Sequence, residues 1–352
     1  MRQTPGFLAG WRGLGRFWVI VLVAFWSGVA VLQVLGPPPQ QVGPRAVGPV
    51  IHSDPLPVPL VSPPPKILDA APVRPGRSIP GPIASADPAL LEAVPGSPGT
   101  LLPRIAADGR TPMTAYAAPF APSGGRPLVG LMIAGIGMNR AESLNAIQAL
   151  PGGVTLGISA YAPDIGSLLD IARNAGHEYL LSLPMEPLGY PVNDPDDRFA
   201  LMTSLPVADN LKRLRALLVR MTGYAGVTDA MGQMHGERFA GVPDQLDSVL
   251  EEVANRGLLF VDARIGQRVL AHAWNRPVDL TIDDDPVDAA ALDQRLEVLT
   301  RMAVDKGSAL GVVSVPRPVT VERIAAWAKT LESKGVVLAP VSALVLAPAK
   351  QE

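Results

Sequence analysis

The chain has 352 residues, 48% of them hydrophobic and 18% charged, with a formal net charge of -2 at pH 7. So small a net charge provides no long-range attraction for nucleic acid, which we do not expect as a partner. The absence of cysteine excludes disulfides, a thiolate nucleophile and a cysteine-ligated zinc. The 38 prolines are more than one compact domain needs, so they must be concentrated in a separate segment.

The first predicted element is an apolar run over residues 17–35 that contains no charged side chain. At a rise of about 1.5 Å per residue, a helix of this length crosses most of a ~30 Å hydrocarbon core. Arginines precede the run and no basic residue follows it until Arg45, which favours a cytoplasmic N-terminus over residues 1–16. We therefore predict a single-pass anchor in the inner (cytoplasmic) membrane, with the rest of the chain in the periplasm. A cleaved signal peptide is the alternative.

Residues 36–100 are rich in Pro, Gly, Ala and Val and include two Pro-Pro-Pro triplets. Proline has no backbone N–H and favours extended polyproline II, so this composition predicts a disordered, semi-rigid linker. A ligand for a proline-binding module is the functional alternative. Residues 101–126 are expected to form an ordered lead-in that lies against the following domain.

Residues 127–348 repeat a short apolar run followed by an amphipathic segment, a pattern that predicts strands alternating with helices. The first predicted strand is Leu128–Ala134, and the later predictions include a short helix over residues 269–274 and a helix that begins at Pro286. Repeated strand-helix units require right-handed crossovers and a parallel sheet. About eight strands in roughly 220 residues favour a closed or nearly closed α/β barrel over an open sheet.

Four carboxylates lie at or just after predicted strand ends. Glu186 follows the predicted strand Glu178–Leu183, and Asp229, Asp262 and Asp283 follow others. Because parallel strands present their carboxyl ends at one shared edge, we predict an acidic rim there and treat these residues as catalytic candidates. Such a rim could bind a hard cation or accept hydrogen bonds from sugar hydroxyls.

The structural alternative for these residues is helix capping and ion pairing. It would pair Asp262 with Arg264 and would use Asp284 and Asp285 to cap the helix predicted from Pro286. His235 is the histidine nearest to a predicted site loop and, with Asp229, is a weak candidate metal ligand. A solvated His235 is the alternative, because metal affinity requires several convergent groups.

The wording Leu183-Pro184-Met185-Glu186-Pro187 resembles the divergent polysaccharide deacetylase family, relatives of the NodB-type carbohydrate esterases. The resemblance extends over Asp108–Pro112, Tyr161–Asp164 and Pro340–Leu344. It implies an irregular (β/α) barrel and a role in envelope carbohydrate metabolism. It also implies N-deacetylation by water on a divalent metal that one Asp and two His hold, with a second Asp as base.

The resemblance also indicates where this chain departs from the family. The family's Asp-Asp pair corresponds to Ala134 and Gly135, and its three histidine positions to Ser182, Ala230 and Val315. We therefore predict a pseudoenzyme with no cofactor, acting as a glycan-binding or scaffold module, whose partner is an envelope glycan or a periplasmic protein. The alternative is an active deacetylase, a hydrolase that uses a metal such as zinc in a rearranged site.

Overall fold

The computed structural model describes residues 76–78, 81–122 and 125–349. The predicted anchor at 17–35 lies outside these ranges, as does most of the predicted linker. Within the part of the chain that is described, no helix combines the length and the apolarity needed to cross a membrane.

Small elements precede the barrel. They are β1 (Gly76–Ser78), β2 (Leu91–Ala93), β3 (Leu101–Pro103), α1 (Pro112–Ala115) and β4 (Phe120–Pro122). β1 pairs with β4 and β2 with β3, both antiparallel. Leu90, just before β2, is fully buried. The linker boundary predicted at residue 100 is therefore corrected: the ordered segment includes residues 81–100, because a buried leucine and strand pairing hold them.

The barrel sheet is parallel throughout. Its strands are β5 (Leu128–Ile136), β6 (Thr155–Ser159), β7 (Tyr179–Ser182), β8 (Gly226–Thr228), β9 (Leu259–Asp262), β10 (Asn275–Pro277), β11 (Leu280–Thr281), β12 (Ser308–Val313) and β13 (Val337–Leu338). The order across the sheet is β10-β9-β8-β7-β6-β5-β12-β11, and β13 pairs with the start of β5.

The two edges of this sheet are formed by one extended run, since only Val278 and Asp279 separate β10 from β11. Their N–H groups donate to the carbonyls of Asp262 and Leu310, which lie in β9 and β12. The sheet is therefore curved into a half-barrel whose edges this run connects. The predicted α/β class and (β/α) barrel are confirmed.

Helices follow most strands and cover the sheet. They are α2 (Arg140–Ala149), α3 (Gly166–Asn174), α4 (Val207–Leu218), α5 (Glu237–Ala240), α6 (Pro243–Asn255), α7 (Ala289–Lys306) and α8 (Pro318–Ala328). α7 begins three residues later than the sequence predicts. Its N-cap is Asp288, whose Oδ1 accepts from the N–H of Ala291 at 2.9 Å. The prediction that Asp284 and Asp285 cap this helix is wrong.

The short helix predicted over residues 269–274 is absent, and the chain forms bends there. The Asn275 side chain replaces helical hydrogen bonds: its Oδ1 accepts from Leu270 N–H at 2.9 Å, and its Nδ2 donates to Leu270 O at 3.0 Å. His272 has a φ of +71°, which no α-helix contains. Local side-chain bonds to the backbone therefore overrode the apolar pattern.

Side chains of β5 divide between two apolar clusters. Val129, Leu131 and Ile133 pack in the larger cluster, which also contains the buried leucines of α4, α6 and α7. Met132 and Ala134 pack in the second cluster, with residues such as Leu180, Val261 and Val312 from other barrel strands. Because successive strand residues point to opposite faces, this alternation places Ala134 on the barrel interior side.

A buried carboxylate connects the lead-in, the barrel and the end of the domain. Glu178, immediately before β7, is fully buried and accepts from Ala118 N–H at 2.9 Å and from Thr155 Oγ1 at 2.9 Å. It also accepts from the N–H of Ser342 at 3.0 Å and from the Ser342 hydroxyl. These bonds join three distant segments of the chain at one point.

Candidate functional site at the carboxyl ends of the strands

A cavity of about 230 Å³ lies where β5, β7 and β12 end. We call it the barrel-mouth cavity. Gly135, Ser182 and Val315 line it, so three of the five positions that the sequence analysis compared with catalytic groups meet here. Ala134 and Ala230 are fully buried. The fold therefore gathers the expected positions, but their side chains offer only one polar group, the Ser182 hydroxyl.

The backbone at Gly135 favours glycine. Its φ is +73°, and a Cβ added there would lie 3.2 Å from the carbonyl oxygen of Ser314. The pairing of β5 with β6 shifts register between Ile133 and Ile136, so the strand is irregular at this point. A side chain such as Asp at position 135 would combine an unfavourable φ with a crowded contact.

Ser182 ends β7 and contributes an unpaired hydroxyl. The residue is only 1% exposed, and its Oγ has no hydrogen-bond partner among the described residues. A Cβ added to the neighbouring Gly157 would lie 3.3 Å from this oxygen, so the glycine leaves room beside it. A buried hydroxyl without a partner is costly, which makes Ser182 available to hydrogen-bond a molecule in the cavity.

Glu142 is a cavity residue that the sequence analysis missed. It lies in the first turn of α2, which Asn139 caps by accepting from Ala141 N–H at 3.0 Å and Glu142 N–H at 3.2 Å. No described residue forms an ion pair or a hydrogen bond with its carboxylate. The signal was the Asn139 cap directly after a strand, since such a cap places first-turn side chains at the mouth of the barrel.

Tyr161 and three methionines supply much of the apolar surface of the barrel-mouth cavity. The Tyr161 hydroxyl donates to the Pro195 carbonyl at 2.6 Å, which fixes the ring, and burial raises the pKa of this phenol. Met138, Met231 and Met234 supply flexible apolar surface. The cavity thus combines an aromatic ring and apolar walls with one carboxylate and the unpaired hydroxyl of Ser182.

Asp229 and Asp262 are brought together, but they are held by the protein. Arg264 places its Nη2 2.7 Å from Asp262 Oδ2 and its Nε 3.7 Å from Asp229 Oδ2. Asp229 Oδ1 also accepts from Ala263 N–H at 2.7 Å. Burial raises the pKa of Asp229 well above its ordinary value, and the neighbouring Asp262 raises it further. The alternative pairing of Asp262 with Arg264 is therefore the observed one.

Glu186 and Asp283 hold loops. Glu186 Oε2 accepts from the N–H and the hydroxyl of Thr203, both at 2.6 Å, and Glu186 Oε1 lies 3.0 Å from Arg238 Nε. Asp283 accepts from the N–H of Ser314 at 2.7 Å. Neither carboxylate lines the barrel-mouth cavity, and neither do Asp229 and Asp262. The four candidates thus surround the strand ends without converging on one open site.

His235 lies beside Glu237, with 3.8 Å between its Nδ1 and Glu237 Oε1, and its buried Nε2 has no hydrogen-bond partner among the described residues. Across residues 76–78, 81–122 and 125–349, no three His, Asp or Glu side chains are grouped closely enough to hold a metal ion. His235 is therefore not assembled with Asp229 into a ligand set.

Residues 131–345 match the family described as divergent polysaccharide deacetylase. The chain belongs to this family. Among solved structures, the chain is similar to an uncharacterized protein from Agrobacterium tumefaciens C58, with 32% identity over 70% of this chain and 100% of that chain and a TM-score of 0.63. The comparison with curated proteins gave no match.

Two further similar solved structures are named as an esterase and as a deacetylase. One is a family 4 carbohydrate esterase from Streptomyces lividans in complex with acetate, at 19% identity over 63% of this chain and 98% of that chain, with a TM-score of 0.39. The other is the catalytic domain of a peptidoglycan N-acetylglucosamine deacetylase from Eubacterium rectale ATCC 33656, at 12% identity over 65% and 96%, with a TM-score of 0.41.

A metal of the kind that the family resemblance implies does not fit the side chains present. The side chains of Ala134, Gly135, Ala230 and Val315 have no atom that coordinates a cation, and Ser182 offers a neutral hydroxyl. A catalytic zinc site requires three protein ligands from imidazole, thiolate or carboxylate groups. The single open carboxylate in the cavity, Glu142, does not complete such a set.

Proposed function

We propose that this divergent polysaccharide deacetylase is a pseudoenzyme that binds an envelope glycan in the barrel-mouth cavity without hydrolysing it. The observation that carries the proposal is the chemistry of the cavity wall. Where the resemblance places the acids and histidines, the wall has Gly135, Ser182 and Val315, and the backbone at Gly135 disfavours an acidic side chain.

The groups that remain suit a sugar. A carboxylate such as Glu142 accepts hydrogen bonds from hydroxyls, and the Ser182 hydroxyl both donates and accepts. The fixed ring of Tyr161 offers a rigid apolar face, which contacts C–H groups at little entropic cost. Small-molecule sites combine apolar walls with a few convergent polar groups in this way.

Catalysis is tested by acetate release from chitooligosaccharides and peptidoglycan fragments, together with metal analysis of the purified full-length chain. We expect no acetate and no stoichiometric zinc. Without activated water and a base, amide hydrolysis loses two contributions that are each worth about a hundredfold or more in rate. Acetate release that a chelator abolishes would overturn the pseudoenzyme and establish an active deacetylase with a rearranged metal site.

Binding is tested by calorimetric titration of the same oligosaccharides into the wild-type chain and three variants. Ser182→Ala removes the unpaired hydroxyl and Glu142→Gln removes the open charge, while Glu322→Gln makes the same change on an exposed residue of α8. We expect about fivefold weaker binding for Ser182→Ala and about tenfold for Glu142→Gln, from hydrogen bonds worth roughly 1 to 1.5 kcal/mol. Equal affinities in all four proteins would exclude the cavity as the glycan site.

We also infer that the domain is held in the periplasm by the apolar segment at 17–35. The support is the uncharged length of that segment and the arginines before it. A reporter that is active only outside the cytoplasm, fused after Glu352, should be active, and the full-length protein should stay with inner membranes. Release of a shortened soluble form would show a cleaved signal peptide instead.

Capture of a periplasmic protein, with no glycan bound, would favour a scaffold role.

A further inference from the structure

A second, larger cavity lies next to the barrel-mouth cavity. Its volume is about 630 Å³, and it runs between α4 and the residues just before that helix. We call it the basic groove. Tyr161 lines both cavities, so the groove lies directly beside the candidate glycan site.

The lining of the groove is strongly cationic. Four basic side chains, Arg198, Lys212, Arg213 and Arg220, face one acid, Asp209. Asp209, Lys212, Arg213 and Ala216 follow the helical spacing that places residues on one face of α4. The small Ala216 side chain leaves space between the charged residues above and below it.

Most of this positive charge is not neutralised by carboxylates. Arg213 Nη1 donates to the carbonyl of Ala200 at 2.6 Å, and Arg220 Nε donates to the carbonyl of Ala160 at 3.1 Å. Carbonyl oxygens fix the position of a guanidinium without cancelling its charge. Lys212 is exposed and has no hydrogen bond or ion pair with a described residue.

Three other acids lie close to Arg198 in the sequence. Asp196 pairs with Arg198 at 2.8 Å, Asp197 accepts from the Tyr190 hydroxyl at 2.9 Å, and Asp194 accepts from the N–H of Asp197 at 3.0 Å. None of the three lines the groove. With Arg198 paired to Asp196, the three remaining cations of the lining outnumber its one carboxylate, Asp209, so the lining itself has a net positive charge that suits an anion.

The groove also has exposed aromatic surface. Phe199 is 52% exposed, and the guanidinium of Arg198 lies 5.4 Å from the centre of its ring. Together with Tyr161, this ring gives a cationic groove two aromatic faces. Exposed large apolar side chains in a lined cavity are typical of binding surfaces.

We propose that the ligand of this protein is an acidic glycan, whose carboxylates occupy the basic groove while a neighbouring sugar occupies the barrel-mouth cavity. This inference rests on the proposed glycan-binding function and names the class of glycan. The shared Tyr161 favours one continuous ligand, and the uncompensated Lys212, Arg213 and Arg220 favour anionic units on it. Arginine is suited to this role because its planar fork matches a carboxylate.

The test uses the full-length chain in detergent micelles and two oligosaccharide probes of equal length, tetragalacturonate, which carries carboxylates, and neutral chitotetraose. Lys212→Glu reverses a charge in the groove without removing any observed contact. Lys329→Glu makes the same change just after α8, on an exposed lysine that lines neither cavity. Calorimetric titrations are run at low and high salt.

We expect tetragalacturonate to bind more tightly than chitotetraose, and Lys212→Glu to weaken tetragalacturonate at least about tenfold at low salt. High salt should reduce this effect, and Lys329→Glu should have none.

Equal affinities for the two probes, unchanged by Lys212→Glu, would overturn the acidic-glycan inference and leave glycan binding intact. Binding that depends on Lys212 but not on Ser182→Ala or Glu142→Gln would support the groove as an anion site and overturn the cavity. Absence of binding by both probes would overturn both proposals.

Discussion

Replacing Glu178 with alanine should destabilise the domain more than any exposed substitution. The carboxylate accepts from two backbone N–H groups, those of Ala118 and Ser342, and from the hydroxyls of Thr155 and Ser342. The hydroxyls can rotate toward other acceptors, but the two N–H groups cannot. Glu178→Ala therefore leaves two buried backbone donors unsatisfied.

The expected magnitude follows from these two donors. A buried donor without a partner costs about 1 to 3 kcal/mol, so two of them cost roughly 2 to 6 kcal/mol. The loss of stability is partly offset, because alanine removes the free-energy cost of desolvating the carboxylate on folding. We expect a net loss of about 3 kcal/mol in the free energy of unfolding, a large share of the ~5 to 15 kcal/mol that stabilises a typical domain.

The assay is urea unfolding of the purified chain, followed by near-ultraviolet circular dichroism. Glu178→Gln keeps one acceptor oxygen but turns an amide donor toward one of the N–H groups, so its loss should be about 2 kcal/mol. Glu322→Ala, an exposed change, should stay within about 0.5 kcal/mol of wild type. A loss below about 1 kcal/mol for Glu178→Ala would show that these hydrogen bonds do not hold the three segments together.

Three further predictions concern the strand ends. Burial and Asp262 raise the pKa of Asp229 in the folded state, so stability that is present at low pH is lost as pH rises through that pKa. Relative to wild type, Asp229→Asn should thus gain stability in urea unfolding as pH rises above about 4, the ordinary pKa of an aspartate, and a constant difference would contradict this. Gly135→Asp should cost about 2 kcal/mol or more, because of its positive φ and the Ser314 carbonyl, and an unchanged unfolding midpoint would refute that account. Ser182→Ala should leave the unfolding free energy within about 1 kcal/mol of wild type, since the hydroxyl has no partner; a loss above about 2 kcal/mol would reveal one.

The strand-helix alternation could be predicted because burial on both faces of a parallel sheet produces runs of apolar residues that are visible in sequence. β5 and β7 were predicted close to their observed bounds for this reason. Residues 269–274 were wrongly predicted as a helix. Their apolar content is typical of a short helix, but the Asn275 side chain bonds to the backbone of Leu270 and holds the segment as a loop. The extent of the ordered lead-in was also missed. β1 pairs with β4, which lies far along the chain, and β2 pairs with β3 within a proline-rich segment, so neither pairing is visible in the sequence.

Sequence by itself identified the family, through the Leu-Pro-Met-Glu-Pro motif, and predicted that the family's acids and histidines are absent from their expected positions, because both depend on residue identity. It also listed Glu186, Asp229, Asp262 and Asp283 as carboxylates at strand ends. Only the tertiary structure decided what each carboxylate does, since a carboxylate is a ligand or a structural acceptor according to the donors around it. Thr203 and Arg238 come from elsewhere in the chain and occupy Glu186, and the N–H of Ala263 occupies Asp229, whereas Glu142 and Ser182 remain open. The basic groove depends in the same way on a helix and a loop that meet in space, which no residue spacing reveals.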